Sequence, residues 1–194
     1  FARLPSTPWE TSAVTPTRSP DASDERGRTP RLTGGQRSAI SVARAAGASS
    51  RRLGVGGGGA LPGRLAGRLS PKLLEALVSQ LGAGSVSITG TNGKTTTSHL
   101  LASLATAAGV EPVTNRTGSN LERGVLGALM DATGRKGQLT NARNRLGVFE
   151  IDEAALVGLF PRVRPRVSLF LNLFRDQLDR YAEVDAVARR WRTM

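Results

Sequence analysis

The residues with the clearest chemical potential form the segment TGTNGKTTT at residues 89–97. Its glycines allow a tight turn that brings backbone N–H groups against phosphate oxygens, and a helix that starts there adds a partial positive charge. The lysine of such a loop reaches the β- and γ-phosphates of a nucleotide, and the next hydroxyl ligates Mg²⁺. The standard signature has one more glycine, where this sequence has Ile88, so the match is the shorter pattern GxxGKT. We therefore predict a nucleotide-phosphate site made of Gly90, Thr91, Asn92, Gly93, Lys94, Thr95 and Thr96.

Acidic residues follow the apolar segment LGVF at residues 146–149. Glu150 lies at the end of this predicted strand, where ligands gather in open α/β sheets. Its carboxylate could bind Mg²⁺, activate a water molecule, or be an ordinary solvated loop acid. Asp152 and Glu153 are expected to cap the next helix, since a helix N-terminus favours negative charge. The segment NLFRDQLDRY at residues 172–181 follows another apolar strand, and its alternating charges are typical of an exposed turn as well as of a site.

These candidate residues need a scaffold that brings several strand ends together. From residue 85 onward, short apolar segments alternate with segments of helical spacing. This pattern is typical of a parallel, doubly wound α/β sheet with flanking helices. The predicted strands are residues 85–89, 112–115, 146–151 and 167–171, and the predicted helices are residues 95–108, 121–132 and 152–160.

The first 84 residues have a different character. Residues 1–35 hold five of the ten prolines and no apolar period, so we expect a segment that is disordered or foreign to the fold. Residues 37–53 are predicted as one amphipathic helix, and the glycines at 56–59 as a flexible break. Ser70 and Pro71 are typical of a helix start. The expected organisation is a segment 1–35, a helical segment 36–84 and a nucleotide-binding domain 85–194.

The composition excludes several classes of protein. The formal net charge is +12, but the excess is spread over both halves, and no stretch interleaves aromatic with basic residues. We therefore expect no specific nucleic-acid partner, and a basic nucleic-acid-binding module is the most distant alternative. The absence of cysteine excludes disulfides and thiolate metal sites within these residues. No apolar run has the roughly 18 residues of a membrane span, so the expected location is the cytoplasm.

Four of these motifs together resemble the Mur ligase family, over residues 37–192. GTNGKTTT resembles that family's ATP loop, including its shorter glycine spacing, and Glu150 in FEIDEA matches its magnesium-binding glutamate. NLFRDQLDRY matches a segment that many members spell with DHLD, and Gln177 stands where they have a metal-ligating histidine. This departure, together with NRTGSN and the following LERG, is similar to the MurT branch, the Mur-ligase-like subunit of lipid II isoglutaminyl synthase. The resemblance adds possible substrate or nucleotide contacts at Asn115, Arg116, Ser119, Asn120, Asn172, Asp176, Gln177 and Asp179.

The resemblance implies an ATP- and Mg²⁺-dependent carbon–nitrogen ligase of peptidoglycan synthesis, in which Lys94 and Glu150 are catalytic and Thr95 and Glu150 bind the metal. In that branch ATP phosphorylates the α-carboxylate of the D-glutamate of lipid II, and ammonia converts the acyl phosphate to D-isoglutamine. The ammonia comes from a separate glutaminase subunit of the GatD type, which forms a heterodimer with the ligase subunit. The implied place of action is the inner face of the cell membrane.

Two nearer alternatives stay open. One is another Mur-type amide ligase, of the amino-acid-adding or folylpolyglutamate type, and the other is an unrelated P-loop nucleotide-binding protein. The resemblance also leads us to expect a partial sequence, which begins with Phe1 and stops at Met194 inside a predicted helix at residues 184–192. The zinc-ribbon cysteines of the family are not reached, so zinc is expected only downstream. Alone, a fragment of this extent is expected to be inactive.

Overall fold

The computed structural model describes residues 30–52, 60–115, 119–173, 189, 191 and 192. Within them the chain first forms helices α1 (Gly34–Arg52), α2 (Ala60–Leu69) and α3 (Leu73–Val78), and then alternates strands with helices. The alternating part consists of β1 (Ser85–Thr89), α4 (Lys94–Ala107), β2 (Glu111–Thr114), α5 (Glu122–Asp131), a 3₁₀ helix (Ala142–Asn144), β3 (Arg145–Glu150), α6 (Leu156–Val163) and β4 (Val167–Phe170). The predictions for residues 1–29, for the glycines at 56–59 and for most of 184–192 lie outside the described residues.

The four described strands form one parallel sheet in the order β2-β3-β1-β4. Each strand lies within one residue of its predicted bounds, so the predicted parallel α/β sheet is confirmed. β1 is central, and its Ser87 pairs with Phe149 of β3 on one side and with Ser168 of β4 on the other. Because all strands run in the same direction, their carboxyl ends meet at one edge, where ligands bind in such sheets.

Helices cover both faces of the sheet. α4 packs on one face and buries Ser98, Ala102 and Ala105. The main core lies on the other face, where Phe149 of β3 packs among apolar side chains of the remaining helices, including Leu73, Leu77, Leu126, Leu129, Leu156 and Leu159. Burying one such leucine contributes roughly 1.5–3 kcal/mol. The core thereby holds the strand ends, and the loops that leave them, in fixed positions.

Helix α1 begins at Gly34, three residues before the predicted start. Thr33 and Gln36 form a capping box: the N–H of Thr33 donates to Gln36 Oε1 at 2.8 Å, and the N–H of Gln36 donates to Thr33 Oγ1 at 3.3 Å. Arg44 donates to the carbonyl oxygen of Met130 in the last turn of α5, at 2.5 Å, and to that of Thr133 just beyond the helix, at 2.7 Å. A cation is favourable at a helix C-terminus, so Arg44 fastens α1 to α5.

Helix α2 is missed by the sequence prediction, because Pro62, Gly63 and Gly67 within ten residues are typical of a loop. Pro62 lies in the first turn of the helix, where its missing N–H removes no helical hydrogen bond. At Gly63 a Cβ would lie 2.0 Å from the carbonyl oxygen of Arg123 and 2.9 Å from the nitrogen of Gly127. The glycine that weakens α2 in isolation therefore allows its backbone to contact that of α5.

The predicted helix start at Ser70 and Pro71 is wrong. The N–H of Ser70 still donates to the carbonyl oxygen of Ala66 at 2.8 Å, so Ser70 closes α2. Its own carbonyl oxygen accepts from the N–H of Leu73 at 3.0 Å, and α3 begins only at Leu73, after Lys72. Ser70 and Pro71 form the turn between two helices because the helix before them, which the prediction lacked, continues to Leu69.

Helix α6 begins later than the predicted residue 152. The N–H groups of Ala155 and Leu156 both donate to the carbonyl oxygen of Asp152 at 3.0 Å, so residues 152–155 form a turn that leads into the helix. The carboxylate of Asp152 accepts from the N–H of Ala154, also at 3.0 Å, and stabilises this turn rather than capping α6. Among the described residues, no helix combines the length and apolar character that crossing a bilayer requires.

An ion-pair network joins α6 to its neighbours. Arg162 contacts Glu75 of α3 and Glu122 of α5, each at 2.6 Å. Burial by itself raises the pKa of Glu75, but the hydrogen bond and the positive charge of Arg162 outweigh it, so this pKa lies below its ordinary value. The hydrogen bond to Glu75 likewise raises the pKa of Arg162. The network ties together the three helices on the main-core face.

Candidate active site

The loop that leaves β1 has the backbone shape that the sequence predicts for a phosphate loop. Gly90 and Gly93 have φ angles of 137° and 85°, in the region that favours glycine. Asn172, just beyond β4, supports the loop: its carbonyl oxygen accepts from the N–H of Thr91, and its side-chain oxygen accepts from the N–H of Asn92, both at 2.9 Å. A Cβ at Gly90 would lie 2.8 Å from the carbonyl oxygen of Asn172, so only glycine fits this approach.

The N-terminus of α4 faces this loop with main-chain donors available. The first N–H within the helical ladder is that of Thr97, which donates to the carbonyl oxygen of Gly93 at 2.9 Å. No side chain of the described residues caps this helix end, and the preceding N–H groups of Lys94, Thr95 and Thr96 lie outside the ladder. Such a helix end is suited to bind an anion such as phosphate.

Glu150, the last residue of β3, contacts α4 through both carboxylate oxygens. Thr95 Oγ1 donates to Glu150 Oε2 at 3.0 Å, and Ser98 Oγ donates to Glu150 Oε1 at 2.6 Å. Ser98 is fully buried, whereas Thr95 is exposed. The hydroxyl and the carboxylate that the sequence separates by 55 residues thus lie side by side at the end of the loop.

Asn115, directly after β2, fixes the backbone of Glu150. Its side-chain oxygen accepts from the N–H of Glu150 at 2.9 Å, and its amide nitrogen donates to the carbonyl oxygens of Glu150 and Ser119 at 2.7 and 2.8 Å. Asn115 is itself buried. The carbonyl oxygen of Asn120 accepts from the N–H of Asp152 at 2.8 Å. The loops after β2 and β3 are therefore joined, and Glu150 is held in one place.

Lys94 lies over the loop with its ammonium group bonded to protein oxygens. Nζ donates to the carbonyl oxygen of Gly90, to that of Thr91 at 3.2 Å, and to Glu153 Oε1 at 3.3 Å. The expectation that Glu153 caps a helix is wrong, because α6 begins three residues later and the carboxylate turns back toward the loop instead. Glu153 is therefore a member of the site.

The structure brings most of the predicted site residues to one edge of the sheet. Around the carboxyl ends of the strands lie the residues of the loop after β1, together with Glu150, Asn115, Ser119, Asn120 and Asn172. The described contacts of Asn115 and Asn172 are with the protein backbone, and a contact of either residue with substrate or nucleotide stays a prediction. The predicted residues Arg116, Asp176, Gln177 and Asp179 lie outside the described residues.

Two residues of the site were missed from the sequence. Ser98 lies three residues after Thr95, so both share one face of α4, and this helical spacing is a signal that could have found it. Glu153 has no comparable local signal, because its partner Lys94 lies 59 residues earlier in the chain. Its place follows only from the path of the turn at residues 152–155.

The parallel sheet, the glycine-turned loop after β1 and the start of α4, which no described side chain caps, together define an α/β domain of the P-loop type. Residues 88–192 match the family model of the Mur ligase middle domain, and the chain belongs to the Mur ligase family. The predicted family membership and the predicted α/β class are thereby confirmed.

Relatives within this family add detail. The chain is 35% identical over 151 residues to "Lipid II isoglutaminyl synthase (glutamine-hydrolyzing) subunit MurT" of Staphylococcus aureus (strain COL), which covers 77% of this chain and 32% of that protein. It is 32% identical to the protein of the same name from Streptococcus pneumoniae, over 67% of this chain and 28% of that protein. It is also 36% identical to a "UDP-N-acetylmuramate--L-alanine ligase" of Synechococcus sp. (strain RCC307), over 53% of this chain and 19% of that protein. The chain thus spans about a third or less of the length of these relatives.

Proposed function

We propose that the protein is the ligase subunit of a lipid II amidating enzyme of peptidoglycan synthesis. It would use ATP to convert the α-carboxylate of the D-glutamate of lipid II to the amide of D-isoglutamine. We infer the ATP-dependent chemistry from one observation: Thr95 and Glu150 lie beside the loop after β1, over which Lys94 is held. The choice of lipid II rests on the similarity to the MurT subunits of two bacteria.

The residues present fit a nucleotide with Mg²⁺. Adjacent oxygen ligands in an octahedral Mg²⁺ site lie about 3 Å apart, since each ligand is about 2.1 Å from the metal. Thr95 Oγ1 and Glu150 Oε2 are 3.0 Å apart, so one ion could be held by both. Mg²⁺ binds hard oxygen ligands and commonly takes one or two carboxylates together with substrate phosphates. When bound, the metal would neutralise charge on the phosphate oxygens.

The chain's own groups account for the remaining demands of phosphoryl transfer. An oxygen of the α-carboxylate attacks the γ-phosphorus, the bond to the β-phosphate oxygen breaks, and ADP leaves. The ammonium of Lys94 and the N–H groups at the start of α4 stabilise the charge that spreads over the transferred group. Ammonia then attacks the acyl carbon, the bond from this carbon to the bridging oxygen breaks, phosphate leaves with that oxygen, and the amide forms with loss of a proton.

The ammonia would come from a glutaminase subunit of the GatD type that pairs with this protein as a heterodimer. In this proposal the thiol nucleophile of the cysteine-dependent glutaminase belongs to that partner. Lipid II is membrane-bound, and the proposed place of action is therefore the cytoplasmic face of the membrane.

The test is the substitution Lys94→Ala in the whole enzyme with its glutaminase subunit. Removing one transition-state donor costs about 10²–10³ in turnover, and we expect at least this loss in ADP formation and in amidation of lipid II. Lys136→Ala is the matched control, because Lys136 is an exposed lysine remote from the loop in sequence, and it should retain full activity. Unchanged turnover of Lys94→Ala would refute the assignment of the loop.

A second candidate is an amino-acid-adding Mur ligase. It is favoured by the 36% identity to the Synechococcus L-alanine ligase. The two functions differ in the nucleophile that attacks the acyl phosphate. ADP formation that depends on lipid II and ammonia supports the amidating enzyme, whereas ADP formation that depends on a UDP-sugar acid and an amino acid supports the second candidate.

A further inference from the structure

The P-loop lysine has its hydrogen-bonding capacity filled by protein oxygens. A lysine ammonium group has three donors, and Lys94 Nζ contacts three acceptors: the carbonyl oxygens of Gly90 and Thr91 and the carboxylate of Glu153. The side chains of Lys94 and Glu153 are only 15% and 20% exposed. A pair shielded to this degree is screened less by solvent and salt than an exposed pair. A phosphate oxygen can therefore reach Nζ only by replacing one of these acceptors.

Glu153 is the acceptor that an incoming phosphate would replace. The two carbonyl oxygens belong to the loop itself and carry only partial charge, whereas Glu153 carries a full negative charge. Two anions that compete for one ammonium repel each other. The carboxylate belongs to the turn at residues 152–155, which follows the last strand pair of β3 at Glu150, so displacing the Glu153 side chain breaks no strand pair.

The turn that carries Glu153 is also held from a distant part of the chain. The indole N–H of Trp191 donates to the carbonyl oxygen of Glu153 at 3.2 Å. The Trp191 ring packs against Phe170, the last residue of β4, with centroids 4.9 Å apart and planes tilted by 59°. A movement of Glu153 would therefore change the surroundings of Trp191.

We propose that Glu153 is a positioning residue that holds Lys94 in the nucleotide-free protein and releases it when ATP binds, and that this exchange is transmitted to Trp191. The inference rests on the proposed function, because it requires that the loop binds ATP. The observed affinity for ATP is then lower than it would be without Glu153, because binding must separate Lys94 from Glu153.

The first experiment compares equilibrium dissociation constants for ATP, measured calorimetrically on the whole protein with Mg²⁺ and with a chelator. We expect Glu153→Gln to bind ATP about fivefold more tightly than the wild type in both conditions, the size expected for a partly shielded ion pair. Glu153→Asp retains the charge and should restore an affinity within about twofold of the wild type. Asp152→Asn is the matched control: it removes a neighbouring charge but keeps an oxygen to accept from Ala154, and its affinity should not change.

The second experiment needs no change at Glu153. The protein is labelled with 5-fluorotryptophan, and the fluorine resonance of Trp191 is assigned by its loss in Trp191→Phe. We expect ATP to shift this resonance in the wild type, and the shift to be less than half as large in Glu153→Gln. A resonance that ATP leaves unchanged in the wild type would overturn the proposal even if Glu153→Gln proved unstable.

The remaining outcomes separate this inference from the proposed function. If Glu153→Gln is folded and its ATP affinity is equal to or weaker than that of the wild type, the inference is wrong. A loss of affinity confined to Mg²⁺ conditions would make Glu153 a metal ligand and also overturn it. ATP binding that Lys94→Ala abolishes but that Glu153 does not affect leaves the proposed function intact. A wild type that does not bind ATP would overturn both.

Discussion

Asn115→Asp tests whether Asn115 holds Glu150 as the structure indicates. The substitution preserves the shape of the side chain and exchanges one NH₂ group for oxygen. The acceptor bond from the N–H of Glu150, at 2.9 Å, can persist. The two donor bonds, to the carbonyl oxygens of Ser119 and Glu150 at 2.8 and 2.7 Å, are replaced by contacts between two oxygens. The change therefore isolates the donor function of the amide group.

The expected loss of stability follows from these two bonds. Each contributes about 0.5–1.5 kcal/mol, and leaving buried acceptors without a donor adds a desolvation cost, so the free energy of unfolding should fall by about 2–5 kcal/mol at neutral pH. Protonation of the introduced carboxyl provides one O–H donor and restores one bond. The folded state therefore binds this proton more tightly than the unfolded state, and the pKa of the introduced group is raised above its ordinary value of about 3.9.

The loss of stability in Asn115→Asp should therefore be larger at neutral pH than in acid. The stabilisation from the bound proton is complete below the ordinary pKa and is lost as the pH rises through the raised pKa of the folded state. Urea unfolding followed by circular dichroism should show a deficit relative to the wild type that is large at neutral pH and smaller near pH 4, about the ordinary pKa of an aspartate. Asn144→Asp is the control, since Asn144 is exposed and donates a single bond, to Gly109. A deficit at Asn115 no larger than in this control, or one independent of pH, would refute the reasoning.

Two further predictions concern the packing of the helices. Gly63→Ala should lower the free energy of unfolding by about 1–3 kcal/mol or more, because its Cβ meets the backbone of Arg123. Gly158→Ala is the control: its Cβ would have no atom within 4 Å, so it should raise the free energy of unfolding by about 0.5–1 kcal/mol. Equal effects of the two substitutions in urea unfolding would contradict the close contact of α2 with α5. Glu75→Gln should destabilise by less than about 1 kcal/mol at neutral pH, since the ion pair with Arg162 is partly exposed. Because the pKa of Glu75 is lowered in the folded state, this loss of stability should disappear as the pH falls through that pKa. If urea unfolding at acid pH still shows the loss, the charge of Glu75 is not its cause.

The sheet could be predicted from the sequence because its signals are local. SVSIT at Ser85–Thr89 is apolar and β-branched enough to identify a strand without its neighbours. Helix α2 could not be predicted, because the glycine that breaks a helix by local propensity is required by contact with α5, about 60 residues later in the chain. The late start of α6 also depends on a distant contact, since the N–H of Asp152 in the turn before it donates to the carbonyl oxygen of Asn120.

In the candidate site, too, the residues with a local sequence pattern could be predicted, whereas the contacts between distant residues could not. Its loop residues and Glu150 were predictable because a phosphate loop and a strand end each have a sequence pattern. The interactions that set their behaviour are long-range: Ser98 and Asn115 fix Glu150, and Glu153 restrains Lys94. Glu150 is held by its backbone and by both carboxylate oxygens, so the metal-binding half of the proposed site is organised before any ligand arrives. Lys94 is held by a displaceable carboxylate, so the phosphate-binding half must rearrange. If the protein binds ATP as proposed, its affinity for Mg²⁺ should depend on how rigidly Glu150 is held, whereas its affinity for the phosphates should depend on how readily Glu153 gives way.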